Sequence, residues 1–288
     1  MAALPKRVAV LFDVDGTLTP SRLEATDEMR AFLAELRARP GVVTGMVGGS
    51  DLPKQQEQLG RDVLHMFDWV FPENGTSAFF CGERVGRTSI KDHLGEPALK
   101  KLINFVLRYL SEVDIPVKRG TFIEYRQGML NFCPIGRNCS QDERNEFELF
   151  DNAHGVRKAM IAALQKEFPD IGLKYSIGGQ ISFDAFPVGW DKTFCLQFLK
   201  ADGKGAEALA SAAAAAARDA ASGAGSSPAA ARRADLLARV AGFDEIHFFG
   251  DKTFPGGNDF EIFSHPDVKG HTVTGPEDTM KQVRALFF

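Results

Sequence analysis

The chain has 288 residues, of which 44% are hydrophobic and 25% charged, a composition typical of folded proteins with one or two domains. Its formal net charge of -4 argues against broad, nonspecific binding to nucleic acid or anionic membranes, although local arginines can still bind a small anion. No apolar stretch reaches the roughly 20 residues that a membrane-spanning helix needs. We expect no signal peptide in residues 1–7, which lead directly into an apolar strand pattern.

The cysteines show no paired spacing of the kind that metal sites use; they are Cys81, Cys133, Cys139 and Cys195. In a chain of this size this favours free thiols in a reducing compartment. We therefore predict a cytoplasmic protein with neither a nucleic-acid nor a membrane partner.

The first part of the chain alternates between strand and helix patterns. The apolar run from Val8 to Phe12 predicts a buried strand. In residues 26–39 the apolar positions follow one helix face, and Pro40-Gly41 ends that helix. A second strand at 42–47, a helix with Pro53 near its start, and a third strand at 68–71 follow. This order predicts an α/β fold with a parallel sheet.

The pattern changes in the middle of the chain, where pairs of strands alternate with helices. Ser140 and Glu143 form a capping-box signature at the start of one helix. The predicted elements are a helix around 99–109, a hairpin of 121–126 and 129–135, a helix from 156 to 168, and strands at 173–177 and 180–186. We interpret residues 87–188 as an α+β domain inserted into a first domain made of residues 1–86 and 189–288.

Residues from about 201 to 240 differ in composition from the rest of the chain. Six consecutive alanines at 212–217 precede a stretch rich in serine and glycine. Alanine favours a helix, but few large apolar groups are present to anchor one. We predict a solvated, low-complexity insertion in a surface loop, partly helical at best and without a catalytic role.

Two carboxylates, Asp13 and Asp15, follow the first strand and precede Gly16-Thr17. Ligands of open α/β sheets bind at the carboxyl ends of the strands, where these side chains are expected. Two neighbouring acids are costly to bury unless Mg²⁺ or another positive group joins them. One carboxylate could then attack phosphorus while the other transfers a proton. The alternative is that both aspartates only cap a turn.

Four motifs in this order resemble those of the haloacid dehalogenase superfamily of phosphotransferases. The first is Asp13 to Thr17, and Ser50 resembles the second, whose hydroxyl binds phosphate. Lys192 resembles the third, which neutralises phosphate charge, and Gly250-Asp251 the acidic, metal-binding fourth. Taken alone, Ser50 could instead cap a helix and Lys192 could be a surface lysine.

The resemblance extends to eukaryotic-type phosphomannomutases and covers almost the whole chain except the insertion. The matching stretches are 71–75 (FPENG), 119–126 (RGTFIEYR), 134–137 (PIGR), 178–184 (GGQISFD), 250–253 (GDKT), 255–259 (PGGND) and 276–279 (PEDT). The family implies a Rossmann-like core phosphotransferase domain, with residues 87–188 as a substrate-binding cap that also forms a homodimer.

The same resemblance implies the chemistry. Asp13 is expected to be the nucleophile and Asp15 the general acid/base, while Asp13, the Asp15 backbone carbonyl and Asp251 bind Mg²⁺. The expected reaction interconverts mannose 6-phosphate and mannose 1-phosphate, is primed by a hexose 1,6-bisphosphate and feeds GDP-mannose synthesis and glycosylation. The residues that match the family's substrate contacts are Arg22, Arg126, Arg137, Arg144, Ser182 and Asp184.

The cap residues also suit a sugar phosphate on physical grounds. Alternation along the strand at 180–186 places Ser182 and Asp184 on one face and Ile181, Phe183 and Ala185 on the other. Arginine binds phosphate through a planar, bidentate fork. One position departs from the family: His265 stands where a second metal site has a carboxylate, so we expect that site to be altered or lost.

Two other functions stay open from the sequence. A sugar-phosphate phosphatase would use the same Asp13 chemistry with water as the acceptor, and a phosphoglucomutase side activity is compatible with the same site. A catalytically inactive binding protein of the same fold is a third class, against which the intact Asp13, Asp15, Ser50, Lys192 and Asp251 argue.

Overall fold

The computed structural model describes residues 6–20, 23–200, 203–221, 232, 236–237 and 242–288. The chain divides into two compact units, each with its own core. Unit 1 comprises Met1–Arg87 and Trp190–Phe288, and unit 2 comprises Thr88–Gly189. Both divisions lie one residue from the domain boundaries expected from the sequence.

Unit 1 is built on a sheet with helices packed against it. Its strands are β1 (Val8–Phe12), β2 (Val42–Val47), β3 (Trp69–Phe71), β4 (Ser77–Phe80), β5 (Glu83–Arg87), β10 (Glu245–Gly250) and β11 (Lys269–Thr272). Its helices are α1 (Asp27–Arg37), α2 (Leu52–Leu59), α3 (Val63–Met66), α8 (Gly203–Ala221), α9 (Phe260–Phe263) and α10 (Pro276–Phe287). Short 3-10 helices span Pro72–Gly75 and Lys192–Phe198.

The described strands of unit 1 form one sheet in the order β11-β10-β1-β2-β3-β4-β5. The five strands from β11 to β3 are parallel, as predicted from the alternation of strands and helices. The sequence analysis missed the antiparallel hairpin of β4 and β5. Its turn contains Cys81 and Gly82, both with positive φ (47° and 87°), and a cysteine there gives no recognisable turn signal.

The buried faces of this sheet explain why its central strands are continuously apolar. Val10 and Phe12 point to one side, where they pack with Phe32 of α1. Ala9 and Leu11 point to the other side, into a cluster with Trp69. A parallel strand that is covered on both faces needs no polar positions, so its sequence shows no alternation.

Unit 2 consists of an antiparallel sheet and four helices. Its strands are β6 (Ile123–Tyr125), β7 (Leu130–Phe132), β8 (Leu173–Gly178) and β9 (Ser182–Pro187), in the order β6-β7-β9-β8. The helices are α4 (Ile90–Leu94), α5 (Glu96–Glu112), α6 (Gln141–His154) and α7 (Val156–Glu167). Ser140 forms the predicted capping box with Glu143. Phe183 and Ala185 of β9 are buried in the core, as the alternation predicted.

The prediction of a solvated insertion is wrong for residues 203–221. They form the continuous helix α8, in which Ala208 and Ala212 are fully buried in the cluster that contains Trp69. A face of methyl groups lets the helix lie close to the core, so packing does not require the large side chains that the prediction looked for. Most of the remaining residues of the insertion lie outside the described ranges. Within those ranges, no helix has both the length and the apolarity needed to cross a membrane.

Candidate active site

The carboxyl ends of three adjacent parallel strands bring the predicted catalytic residues of unit 1 together. Asp13 follows β1, Ser50 lies in the loop after β2, and Asp251 follows β10. A cavity of about 130 Å³ is lined by Asp13, Asp15 and Ser50, together with Lys252 and Asn258. Gly16 has a φ of 73°, and a Cβ there would lie 2.5 Å from Asp251 Oδ2, so the close approach of the two loops requires glycine.

Lys192 lies at the centre of this group and is only 1% exposed. It begins the 3-10 helix Lys192–Phe198, whose preceding residue Asp191 accepts a hydrogen bond from the Thr193 backbone N–H at 3.0 Å. The Lys192 ammonium donates hydrogen bonds to Asp13 and to Asp259. The interpretation of Lys192 as a surface lysine is therefore wrong.

Burial and neighbouring charges set the protonation of this cluster. Desolvation and the nearby Asp259 carboxylate raise the pKa of Asp13 to about 6, even though Lys192 acts in the opposite direction. Desolvation alone lowers the pKa of Lys192, but the two carboxylates outweigh it and the net pKa is raised. Burial also raises the pKa of Asp251. The lysine therefore remains a cation beside two acids.

Three carboxylates of unit 1 are arranged to bind a cation. Oxygen atoms of Asp13, Asp251 and Asp259 all lie within 4.8 Å of one another. Asp251 Oδ1 is buried and has no hydrogen-bond partner in the described part of the chain, so it is left with an unused acceptor. Carboxylate oxygens are the ligands that Mg²⁺ prefers, and the donor set fits that ion.

Asp259 was not predicted as a site residue, although it belongs to the quoted stretch 255–259. It is fully buried and accepts a hydrogen bond from the Lys252 backbone N–H at 3.0 Å. Its only sequence signal is that motif. His265 is not part of the carboxylate cluster; its Nδ1 accepts a hydrogen bond from the Asp267 N–H at 3.2 Å.

The loop and helix after β2 position Asp15. The Gln58 side-chain amide, on α2, donates a 2.8 Å hydrogen bond to Asp15 Oδ1. Gln58 is buried, which is uncommon for glutamine, but no sequence motif distinguishes it from its neighbours. The interpretation of Ser50 as a helix cap is wrong, because Asp51 caps α2 by accepting a hydrogen bond from the Lys54 N–H.

Unit 2 holds the predicted substrate residues of β9 in one polar group. Asn131, on β7, donates hydrogen bonds to Ser182 Oγ (3.1 Å) and to Asp184 Oδ1 (2.7 Å). Arg137 donates in turn to Asn131 Oδ1 at 2.8 Å. Asn131 was missed from the sequence because its role depends on the pairing of β7 with β9, which places it directly opposite Asp184.

The arginines of unit 2 join the same group through Glu124 and the backbone. Glu124 Oε2 lies 2.6 Å from Arg126 Nη2 and 3.3 Å from Arg137 Nε. Arg144 donates to the Arg137 carbonyl at 3.4 Å. Five of the six predicted substrate residues thus lie in one connected network. The sixth, Arg22, lies outside the described residues.

A family profile described as "Eukaryotic phosphomannomutase" matches residues 29–208 and 235–288. The chain belongs to this family. The recognition made from the sequence motifs is therefore confirmed. Relatives named phosphomannomutase include one from Arabidopsis thaliana, 49% identical over 288 residues with 100% of this chain and 99% of the relative aligned. Another, from Saccharomyces cerevisiae, is 49% identical, with 96% and 93% aligned.

Among solved structures, a trehalose-6-phosphate phosphatase from Aspergillus fumigatus superimposes with a TM-score of 0.51 at 17% identity. The superposition covers 98% of this chain and 92% of the other. At this identity the match shows the fold alone, and it agrees with the predicted α/β fold class. Residues 209–234 lie outside the family match, so the latter part of α8 belongs to a segment that the family profile does not contain.

Proposed function

We propose that the chain interconverts mannose 6-phosphate and mannose 1-phosphate through an aspartyl phosphate on Asp13. Membership of the phosphomannomutase family supports the reaction. The observation that carries the mechanism is the buried contact of Lys192 with Asp13 and Asp259, beside Asp251. A nucleophilic carboxylate needs positive charge nearby to receive a phosphoryl group that is itself anionic, and Lys192 supplies it.

In the first half-reaction an Asp13 oxygen forms a bond to the phosphorus of a hexose 1,6-bisphosphate, and the bond from phosphorus to the sugar oxygen breaks. Asp15 donates its proton to that leaving oxygen. In the second half-reaction Asp15 removes a proton from the accepting sugar hydroxyl. The oxygen of that hydroxyl forms a bond to phosphorus, and the bond from phosphorus to Asp13 breaks. Gln58 orients Asp15 in both directions through its hydrogen bond.

The residues that would hold Mg²⁺ are Asp13, Asp251 and Asp259, with the Asp15 backbone carbonyl as a further ligand. When bound, the ion neutralises charge on the transferring phosphoryl group. Ser50 lines the same cavity as Asp13, and its hydroxyl donates a hydrogen bond to a phosphate oxygen.

Unit 2 binds the rest of the substrate. Arg126, Arg137 and Arg144 bind the phosphate that does not react, while Ser182 and Asp184 bind sugar hydroxyls. The hydrogen bonds of Asn131 support this role, because they fix the orientation of the β9 side chains before substrate binds. Arg22 is proposed as a further phosphate contact.

Rapid-quench labelling tests the mechanism. Radiolabelled glucose 1,6-bisphosphate and Mg²⁺ should label the wild-type protein on Asp13 within one turnover. Asp13→Asn should remain unlabelled, while its free energy of unfolding stays within about 1 kcal/mol of the wild-type value. Label on Asp13→Asn would overturn the assignment of the nucleophile. A protein without catalytic function would show no label in either form.

A second assay separates a mutase from a phosphatase. With mannose 1-phosphate and a trace of glucose 1,6-bisphosphate, the proposal expects mannose 6-phosphate and little free phosphate. Free phosphate alone would indicate that water is the acceptor. Comparing rates with mannose 1-phosphate and glucose 1-phosphate measures the side activity towards glucose phosphates.

The proposal also includes a cytoplasmic homodimer that supplies mannose 1-phosphate for GDP-mannose synthesis and glycosylation. The free, buried state of all four cysteines supports a reducing compartment. Exposed apolar side chains of unit 2, Leu107 and Leu149, support contact with a second copy. Sedimentation should then give about twice the chain mass of 31.5 kDa.

A further inference from the structure

Five arginines of unit 1 surround two adjoining cavities at the edge of the sheet opposite to Asp13. The cavities, of about 460 and 220 Å³, share Arg232 and Ala38 in their linings. Arg7 and Arg39 precede β1 and β2, so they lie at the amino ends of these parallel strands. The catalytic carboxylates follow the carboxyl ends. Arg7 and Arg39 therefore lie at the ends of the parallel strands opposite to the catalytic carboxylates.

The larger cavity combines guanidinium groups with apolar walls. Arg30, Arg37 and Arg232 line it together with Leu33 and Met66. The smaller cavity adds Arg7 and Arg39. Asp62 is the one carboxylate among the described residues that line either cavity. We refer to the two together as the arginine cavity.

Among the described residues, three carboxylates form ion pairs with four of the five arginines of the arginine cavity: Asp62, Asp68 and Asp244. The fully buried Asp68 accepts hydrogen bonds from both Arg37 (2.8 Å) and Arg232 (2.9 Å). One carboxylate therefore faces two guanidinium groups. Arg30 forms an ion pair with Asp62 at 3.8 Å. The Asp62 side chain is 68% exposed, so this ion pair is weak. Among the described residues, five arginines of this cavity thus stand against three paired carboxylates, in a chain whose net charge is -4.

Arg232, which lines both cavities, comes from residues 209–234, the segment that the family profile does not match. Besides Asp68, its guanidinium donates to the Val42 carbonyl at 3.1 Å, and this holds it at the start of β2. The insertion thus supplies a fixed cation to a core that already carries Arg30 and Arg37.

We infer that the arginine cavity binds an organic phosphate, with the phosphate on the guanidinium groups and the organic part against Leu33 and Met66. Guanidinium groups form bidentate, charge-assisted hydrogen bonds with phosphate oxygens. The larger cavity, at about 460 Å³, lies within the roughly 300–1,000 Å³ that is usual for small-molecule sites. The inference does not depend on the proposed reaction, because no residue of the catalytic group lines this cavity.

Isothermal titration with adenosine 5′-monophosphate at low ionic strength tests this site. The variants are Arg232→Gln and Arg30→Gln, and the control is Arg218→Gln, which removes the same charge from an exposed position of α8. The residues of the catalytic group are the same in all four proteins, so differences in affinity among them report on the arginine cavity. We expect binding about tenfold or more weaker in both cavity variants and unchanged in the control.

Both cavity variants should fold. Arg232→Gln leaves Asp68 paired with Arg37, and Arg30→Gln leaves both ion pairs of Asp68 intact. Urea denaturation of each protein checks this. Equal affinity of wild type and both variants would overturn the inference. Inorganic phosphate is the second probe; affinity equal to that of the nucleotide would overturn the part of the inference that concerns the organic group.

Discussion

At the scale of single residues, Lys192 compensates two buried acids. Asp13, Asp259 and Lys192 are all nearly inaccessible to water, and the ammonium contacts both carboxylates. Replacing Lys192 with Met leaves two carboxylates buried without their cation. We expect Lys192→Met to lower the free energy of unfolding by about 3–5 kcal/mol in the absence of divalent ions, as measured by urea denaturation.

Two further variants check that explanation. Adding Asp259→Asn to Lys192→Met removes one uncompensated charge, so part of the lost stability should return. Lys200→Met removes a lysine whose side chain is 57% exposed, and it should change stability by less than about 1 kcal/mol. Equal losses for Lys192→Met and Lys200→Met would contradict the role assigned to the buried cluster.

Gln58 is expected to affect turnover through Asp15. Its amide donates to Asp15 Oδ1 at 2.8 Å, and a hydrogen bond to a charged group contributes about 1.5–3 kcal/mol. Gln58→Leu should therefore lower kcat by about tenfold to a hundredfold, with a smaller change in KM.

The matched control for this variant is Gln56→Leu on the same helix. Gln56 donates instead to the Arg61 carbonyl at 3.3 Å and is not among the described residues that line the catalytic cavity. We expect wild-type kcat and KM for Gln56→Leu. If Gln58→Leu raised KM and left kcat unchanged, the hydrogen bond to Asp15 would not serve turnover.

At the scale of elements, the insertion helix α8 depends on its small side chains. Ala212 is fully buried in the core of unit 1, whereas its neighbour Ala213 is exposed. Ala212→Glu must bury a charge or displace the helix, so we expect a loss of about 3 kcal/mol or more in the free energy of unfolding. Ala213→Glu, measured by the same urea denaturation, should change it by less than about 0.5 kcal/mol. Similar effects at both positions would show that α8 is not packed on the core.

Helices and strands could be predicted from the sequence where their apolar residues form a clear pattern or where a capping motif marks the start of a helix. The strand at Val42–Val47 and the capping box at Ser140 have the predicted bounds because short apolar runs and caps act locally. The buried face of α8 could not be predicted, since an alanine run has no apolar period and its burial depends on distant strands. Asp259 and Gln58 were missed for a related reason: their contacts join residues 67 and 43 positions apart along the chain.

At the scale of the whole molecule, stability depends on pH through several buried groups. Some of these groups stabilise the fold more as the pH falls, and others stabilise it less. The pKa of Asp13 is raised to about 6, so the folded protein binds more protons there than the unfolded chain, and this contribution to stability grows as the pH falls. Histidines whose pKa is lowered by burial act in the other direction. The measured pH dependence is the sum of both, and only a comparison of variants separates them.

His247 on β10, which is buried, and His271 on β11, which is half-buried, form such a pair. Their ring nitrogens lie 3.0 Å apart, and His247 Nε2 is 3.2 Å from Glu245 Oε2. Lys269 and Lys6, which pair with Glu245, add positive charge, and the Phe249 and Phe287 rings pack on the imidazoles. Burial is the largest influence on both rings and lowers the pKa of each below the ordinary histidine value of 6.5.

The unfolded chain therefore binds more protons at these two histidines than the folded protein does. Their contribution to stability is present above pH 6.5 and is lost as the pH falls from there towards the lowered pKa of the folded state. His271→Gln removes one imidazole of the pair and its repulsion of a protonated His247. The difference in the free energy of unfolding between wild type and His271→Gln should shrink from pH 7.5 to pH 5.5, as measured by urea denaturation. A parallel pH dependence in His271→Gln and wild type would show that the pair does not titrate on unfolding.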